Sequence, residues 1–253
     1  MKQPPVRYPG PQTDGEITSV ADANHMHGPD LKNIEHFSNV KSSTLIEIDR
    51  RCRWLHLNEG DVLVPAGESV DRLFFLLEGE LRALVYTRNG KIVSLPPAHR
   101  GSLVNGIALS GDIQMPYSVE AAGPCTVASI GSRAFLEIVK QDPEALHAVV
   151  QLLVERQQVL VEHIVELSTL NVRSRVHKEL LRLCAEDIGA DGSARISPIP
   201  THTDLAHRIG THREAVAREL SYLQNIGLVL RHAKELYVPD VSRIADLVAK
   251  SDD

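Results

Sequence analysis

The sequence predicts an α+β chain: an N-terminal antiparallel β-roll, one long helix suited to dimerisation, and a C-terminal winged helix-turn-helix. Three patterns carry this expectation. Short apolar runs separated by glycines fill residues 52–130, leucines then recur every seven residues, and a glycine turn divides two short amphipathic stretches within 203–223. The boundaries implied are 1–30 for a polar extension, 31–140 for the roll, 141–170 for the long helix and 171–253 for the C-terminal domain.

Taking the elements in order, residues 1–30 are rich in proline, glycine and polar side chains and hold no apolar signal-peptide core. They are expected to be a disordered extension of a cytoplasmic protein. No run approaches the ~20 apolar residues of a bilayer span, so no membrane partner is expected. A helix over 44–52 precedes the roll, whose strands are expected at 62–64, 73–77, 81–86 and 127–130, with glycines 60, 67, 79, 90, 101, 111 and 123 marking turns. Beyond Arg133 the apolar period lengthens to about 3.5. Leu146, Leu153, Leu160 and Leu167 keep heptad spacing, and Val150, Gln157 and Ile164 follow four residues after the first three. Such a narrow seam, along roughly seven turns, is that of a parallel two-stranded coiled coil, with Gln157 fixing register at some cost in stability. Packing of the helix on its own roll is the alternative, and part of its surface must do so.

Asn171 is placed to cap a helix over 172–185 that turns Val176, Leu180, Leu181 and Leu183 inward. Glycines 189 and 192 end it, and 194–200 reads as a strand and turn. In the following pair of helices, Leu205, Ala206 and Ile209 face Val216, Leu220 and Leu223 across Gly210. Thr211 and Glu214 spell a Thr-x-x-Glu capping box, so the second helix is expected to begin at Thr211 and end before Gly227. Segments 228–230 and 236–238 would form a wing hairpin around Ala233 and Lys234, and Pro239-Asp240 opens a last helix.

Charge gives little guidance. The net charge is −6, and residues 171–253 hold 12 basic against 12 acidic side chains. The second helix is more informative. Its first two turns expose His212, Arg213, Ala217 and Arg218, with Glu214 between. Arginine donates two parallel hydrogen bonds to guanine, and a carboxylate accepts from cytosine. Arg213 and Arg218 are therefore candidate base readers, against phosphate contact or a solvated face. Glu214 is divided between capping and base reading. Thr201, His202, Thr203 and His212 are candidate phosphate donors, and Thr211 completes the candidate DNA-binding surface.

Cys52, Cys125 and Cys184 are odd in number and dispersed, as expected of reduced buried thiols, and the sequence assigns them no role. Neither a cysteine-ligated cluster nor the His-x-His…Glu set of a β-roll metalloenzyme is present, and His25 and His27 fall in the polar tail. No cofactor, metal or enzymatic activity is expected.

This order of parts resembles the CRP/FNR family of bacterial transcription regulators. Residues 60–67 (GDVLVPAG) and 71–79 (DRLFFLLEG) look like the opening strands of its cyclic-nucleotide-binding-type domain, and 203–223 matches its DNA-binding signature. The resemblance spans about 45–248. It implies a homodimer on a palindromic duplex, with RNA polymerase as a further partner. Arg213, Glu214 and Arg218 resemble the catabolite-activator subgroup, which implies a TGTGA-like half-site.

The sensor segment departs from the family pattern. Cyclic-AMP binders carry Gly-Glu-Leu followed by Arg-Ser/Thr-Ala, whereas here Asn105-Gly106 and Met115 or Pro116 stand at the corresponding places, and 101–132 contains no lysine or arginine. A buried cyclic phosphate without a cation loses its charge-assisted bonds. Leu160 and Val161 fall where such binders place hydroxyl residues against adenine. Gly79-Glu80-Leu81 spells the tripeptide but reads as a strand turn. The roll is thus expected to bind an effector other than cyclic AMP or to have lost ligand control. The effector candidates are Arg82, Arg88, Asn105, Gly106, Met115, Tyr117, Leu160 and Val161. A cyclic-nucleotide or cyclic-dinucleotide pocket rearranged around Arg82, Arg88 or Arg100 is the alternative, and a small-molecule module with a protein-binding tail is a further one.

Overall fold

The computed structural model describes residues 31–87, 92–111, 113–185, 187–232 and 235–249. The expected extension at 1–30, Arg88 and the Ala233-Lys234 turn lie outside the described residues. The chain divides into two compact units, Met1–Leu160 and Val161–Asp253.

In the first unit, α1 (Ser42–Arg51) leads into β1 (Arg53–Leu57), β2 (Val62–Val64), β3 (Arg72–Glu78), β4 (Leu81–Tyr86), β5 (Ile92–Ala98), β6 (Leu103–Val104), β7 (Ser118–Ala121) and β8 (Cys125–Gly131). These build two four-stranded antiparallel sheets, ordered β1-β8-β3-β6 and β2-β7-β4-β5. The unbroken apolar run of β3 follows from burial on both faces, with the strand period of two dividing its side chains. Phase decides which core each joins. Phe74 and Leu76 join Leu63, Leu81, Val119 and Val127 in one core. Leu73, Phe75 and Leu77 pack with Phe37, Trp54 and Phe135 in the other.

After β8, α2 (Ser132–Val139) and α3 (Pro143–Thr169) follow. Asp142 starts α3: its carboxylate accepts from the Glu144 amide at 3.3 Å and from Thr44 Oγ1 at 2.7 Å, fastening this end to the beginning of α1. Along α3, Ala145, Ala148, Val149 and Leu152 are buried in the second core at i, i+3, i+4, i+7 spacing. The heptad residues lie elsewhere on the helix. Leu146, Val150, Leu153, Ile164 and Leu167 are all exposed, Ile164 at 62%.

The second unit contains α4 (Val172–Cys184), β9 (Ala194–Ile196), α5 (His202–Arg208), α6 (Arg213–Asn225), β10 (Leu230–His232), β11 (Glu235–Val238) and α7 (Val241–Ala249). Asn171 caps α4, its side chain accepting from the Ser174 amide. Gly227 (φ +70°) ends α6 with amides 227 and 228 bonded to the Gln224 and Leu223 carbonyls, the paired closure that needs a left-handed residue. The first strand of the wing begins two residues later than expected. Leu228 and Val229 are buried core residues rather than strand, and Leu230 is the first residue paired, opposite Tyr237.

Candidate nucleic-acid interface and cavity

The helix pair meets through its small and apolar faces, with Leu205, Ala206, Ile209, Val216, Leu220 and Leu223 all buried in one core. Gly210 makes the turn at φ +63°, and a Cβ there would meet Leu167 Cδ2 at 3.0 Å. The expected capping box is corrected. His212, not Thr211, is the N-cap of α6, without a side-chain bond, because the Thr211 amide is spent on the Ala206 carbonyl at 2.9 Å, closing the turn. A reciprocal box exists one helix earlier. Thr201 caps α5, accepting from the Asp204 amide at 3.1 Å and donating its hydroxyl to Asp204 Oδ2 at 2.7 Å. Thr201 therefore holds its own helix, and its only hydroxyl proton is engaged. Glu214 is relieved of capping.

At ~100° per residue, Val216, Glu219, Leu220 and Leu223 share the buried side of α6, Glu214 and Arg218 lie opposite it, and Arg213 and Ala217 stand on its flank. Arg213, Glu214 and Arg218 are exposed and make no hydrogen bond or ion pair with a described residue. His212 and Thr203 are exposed; His202 and Thr211 are half-buried. What holds α6 includes a group that sequence reasoning missed. Glu219 is buried, accepting from His177 Nε2 at 2.8 Å and Arg173 Nε at 3.2 Å. A carboxylate three residues after Val216 and four before Leu223, on the apolar stripe, was the available signal. Arg208 of α5 is likewise held by Glu179 of α4 at 3.3 Å. Both helices are thus fastened to α4 by charge pairs as well as by packing.

The first unit holds a cavity of about 240 Å³ between the β2-β7-β4-β5 sheet, the 106–110 turn and α3. Asn105, Gly106, Tyr117 and Leu160 line it, as do the heptad residues Leu153 and Gln157. Other candidates fall elsewhere. Arg82 is not a lining residue; the lining comes from Leu81 and Ala83, its neighbours, which the pleat directs to the opposite face. Met115 is buried in the core between the sheets, and Val161 is exposed and outside the lining. Arg100, too, is outside it.

The cation at the cavity is Arg156, which sequence reasoning did not find. It donates from Nη2 to the Pro96 carbonyl at 2.8 Å and from Nη1 to that of Pro97 at 3.2 Å. β5 is the end strand of its sheet, where prolines are tolerated. Arg156 stands four residues beyond Leu152 on the buried stripe, a position legible from the period of α3. Burial lowers its pKa, opposed by Tyr117, and burial raises the Tyr117 hydroxyl despite the nearby guanidinium. Asn105 takes the left-handed φ of +59° and donates from Nδ2 to the Val70 and Arg72 carbonyls, both at 2.8 Å. A Cβ on Gly106 would come within 2.7 Å of Leu153 Cδ2, so the turn sits close against α3.

Gly79 of the Gly79-Glu80-Leu81 sequence does turn between strands, at φ +86° with the Pro124 carbonyl against the place where a Cβ would stand. The three thiols are buried, and burial foremost raises Cys52 to about 12 and Cys184 to about 11. Among the described residues, no group of acidic, histidine and cysteine side chains could hold a metal ion, and no helix is long and apolar enough to cross a membrane.

Residues 54–142 match the cyclic nucleotide-binding domain family, and 174–247 match the Crp-like helix-turn-helix domain. The cAMP-activated global transcriptional regulator CRP of Pasteurella multocida is 25% identical over 178 residues, covering 70% of this chain and 85% of that protein. The cAMP-activated global transcriptional regulator Vfr of Pseudomonas aeruginosa is 23% identical over 216 residues, covering 84% and 96%. Among solved structures, the c-di-GMP responsive global regulator CLP of Xanthomonas campestris superposes with a TM-score of 0.68 at 17% identity, covering 78% of this chain and 99% of that one. A CRP/FNR family regulator of Thermus thermophilus, TTHA1359, gives 0.66 at 23%, covering 79% and 100%. With a nucleotide-binding-like sensor domain followed by a Crp-like DNA-binding domain, the chain belongs to the CRP/FNR family of transcription regulators.

Proposed function

We propose that the chain acts in the cytoplasm as a homodimer that regulates transcription from a palindromic site, reading bases with Arg213, Glu214 and Arg218. The observation that carries this reading is that Arg213, Glu214 and Arg218 of α6 are exposed outside its buried stripe and make no hydrogen bond or ion pair with a described residue. Residues 203, 212 and 202 would contact phosphate, with Thr211 and Ala217 in close approach; Thr201 supports α5 instead. Residues 141–170 would pair two copies, the exposed Leu146, Val150, Leu153, Ile164 and Leu167 supplying the seam, with Gln157 and Leu160 between them. Residues 31–140 serve as the sensor, 171–253 bind DNA, and RNA polymerase is the further partner the family implies.

Cyclic AMP, which activates the CRP and Vfr relatives, is not the effector held in their manner here. Met115 or Pro116 stands where the family's cassette arginine is expected, and the guanidinium at the cavity comes from α3. Fluorescence anisotropy on a duplex with inverted TGTGA half-sites tests the DNA reading. Arg218→Ala should lose roughly 10- to 100-fold per contact in affinity while a scrambled duplex is bound nearly as before. Equal losses on both duplexes would reassign Arg218 to phosphate.

A further inference from the structure

The cavity beside α3 presents an unusual balance of groups. Nine of its fourteen lining residues are aliphatic, and its volume of about 240 Å³ lies below the ~300 Å³ at which pockets for larger ligands begin. Among the described residues, one cation lines this apolar space. Arg156 has no ion pair with a described carboxylate; its hydrogen bonds go to the carbonyls of Pro96 and Pro97. Arg156 is half-buried, and a charge drawn partly out of water is ordinarily paired, because its desolvation otherwise stands uncompensated. The two carbonyls orient the guanidinium but carry no charge to neutralise it. Tyr117 lines the same cavity, and its hydroxyl makes no hydrogen bond with a described residue. Gln157 adds an amide from the next position on the helix.

We infer that this cavity takes a compact, largely apolar monocarboxylate, its charged end held by Arg156 and Tyr117 and its body by the aliphatic wall. The arrangement disfavours a cyclic nucleotide on three counts. The volume is small, the wall offers few partners for a ribose and base, and two guanidinium nitrogens are already engaged. A carboxylate needs only the hydrogens that remain on Arg156 together with the Tyr117 hydroxyl. Leu153, Gln157 and Leu160 line the cavity and also stand on the heptad, so the occupant touches the helix proposed to pair two copies. The inference rests on the sensor reading of the roll for its consequence, but not for binding itself.

The test uses the full chain and a panel of C4–C8 aliphatic and single-ring aromatic monocarboxylates, each beside its primary amide, with cyclic AMP and a cyclic dinucleotide as further probes. Thermal shift and isothermal titration read binding; anisotropy on duplex DNA is measured separately. At least one acid should raise the melting temperature in a concentration-dependent way and bind about 10- to 100-fold more tightly than its amide. Tyr117→Phe, which removes one hydroxyl, and Arg156→Gln should both narrow that acid-to-amide ratio. Ala83→Trp, which fills the space, should abolish binding of acid and amide alike. An acid and amide bound equally, no acid bound at all, or nucleotide binding that outcompetes every acid would each overturn the inference. Those results leave the DNA reading standing whenever the anisotropy signal persists, so the two failures are separable.

Discussion

Replacing Glu219 by alanine should loosen the recognition helix from behind without touching its exposed face. The side chain is 5% exposed and accepts from a histidine that is 7% exposed, whereas Arg173, its other partner, is 74% exposed. These numbers divide the cost unequally. Losing a bond to a buried carboxylate costs about 1.5–3 kcal/mol, while the exposed arginine bridge contributes about 0–1 kcal/mol. His177 Nδ1 is already buried without a described partner, so removing the carboxylate leaves the ring unbonded on both sides. Glu219→Ala should therefore cost about 2–4 kcal/mol, Glu219→Gln about 1 kcal/mol, and Arg173→Ala less than 1 kcal/mol with loss of salt dependence. Urea unfolding followed by far-ultraviolet circular dichroism measures all three, and specific DNA affinity should fall in the same order. If Glu219→Ala is no more destabilising than Arg173→Ala, the buried pair does not anchor α6.

Gly210→Ala should destabilise the second unit by about 1–2 kcal/mol in the same assay, since φ is +63° and the new Cβ meets Leu167 at 3.0 Å. Gly106→Glu, which reinstates the family's glutamate, should cost about 1–3 kcal/mol in a thermal melt by overpacking against Leu153, with no gain of response to cyclic AMP. Burial raises the Glu166 carboxyl, but bonds from Arg182 and Lys178 (3.1 Å) more than reverse this and hold it below its ordinary value. A lowered folded-state pKa stabilises the fold above the unfolded value near 4.5 and ceases to do so as pH falls through the folded one. Glu166→Gln should accordingly shrink the loss of urea midpoint between pH 7 and pH 3, and an unchanged loss would place the acid sensitivity elsewhere.

Much of the frame was legible because periodicity changes where the structure changes. The short apolar runs of β3 and β4, the helical period of α3, the Asn171 cap and the Gly227 closure each rest on local chemistry that the chain carries within a few residues. The capping box went to the wrong helix for a long-range reason. Thr211 and Glu214 have the right spacing, but the turn at Gly210 consumes the Thr211 amide on Ala206, a bond no pattern of side chains reveals. The cavity was half legible. Asn105, Gly106, Tyr117 and Leu160 line it, yet the cation was sought along the roll, where Arg82 points away. Arg156 comes from a helix 70 residues downstream of Tyr86 in β4, placed by the way α3 packs its second stripe. Glu219 and His177 meet across 42 positions, and only burial distinguishes that pair from solvated charges.

The most direct test of the central claim, that Arg213, Glu214 and Arg218 on a paired recognition helix read sequence, is selection of bound duplexes from a random pool by the full chain. The account predicts enrichment of an inverted repeat whose half-sites are centred about 10–10.5 base pairs apart, with enrichment at specific positions relaxing in Arg218→Ala. A pool that stays random at every round, or enrichment of a single unpaired half-site, would contradict it.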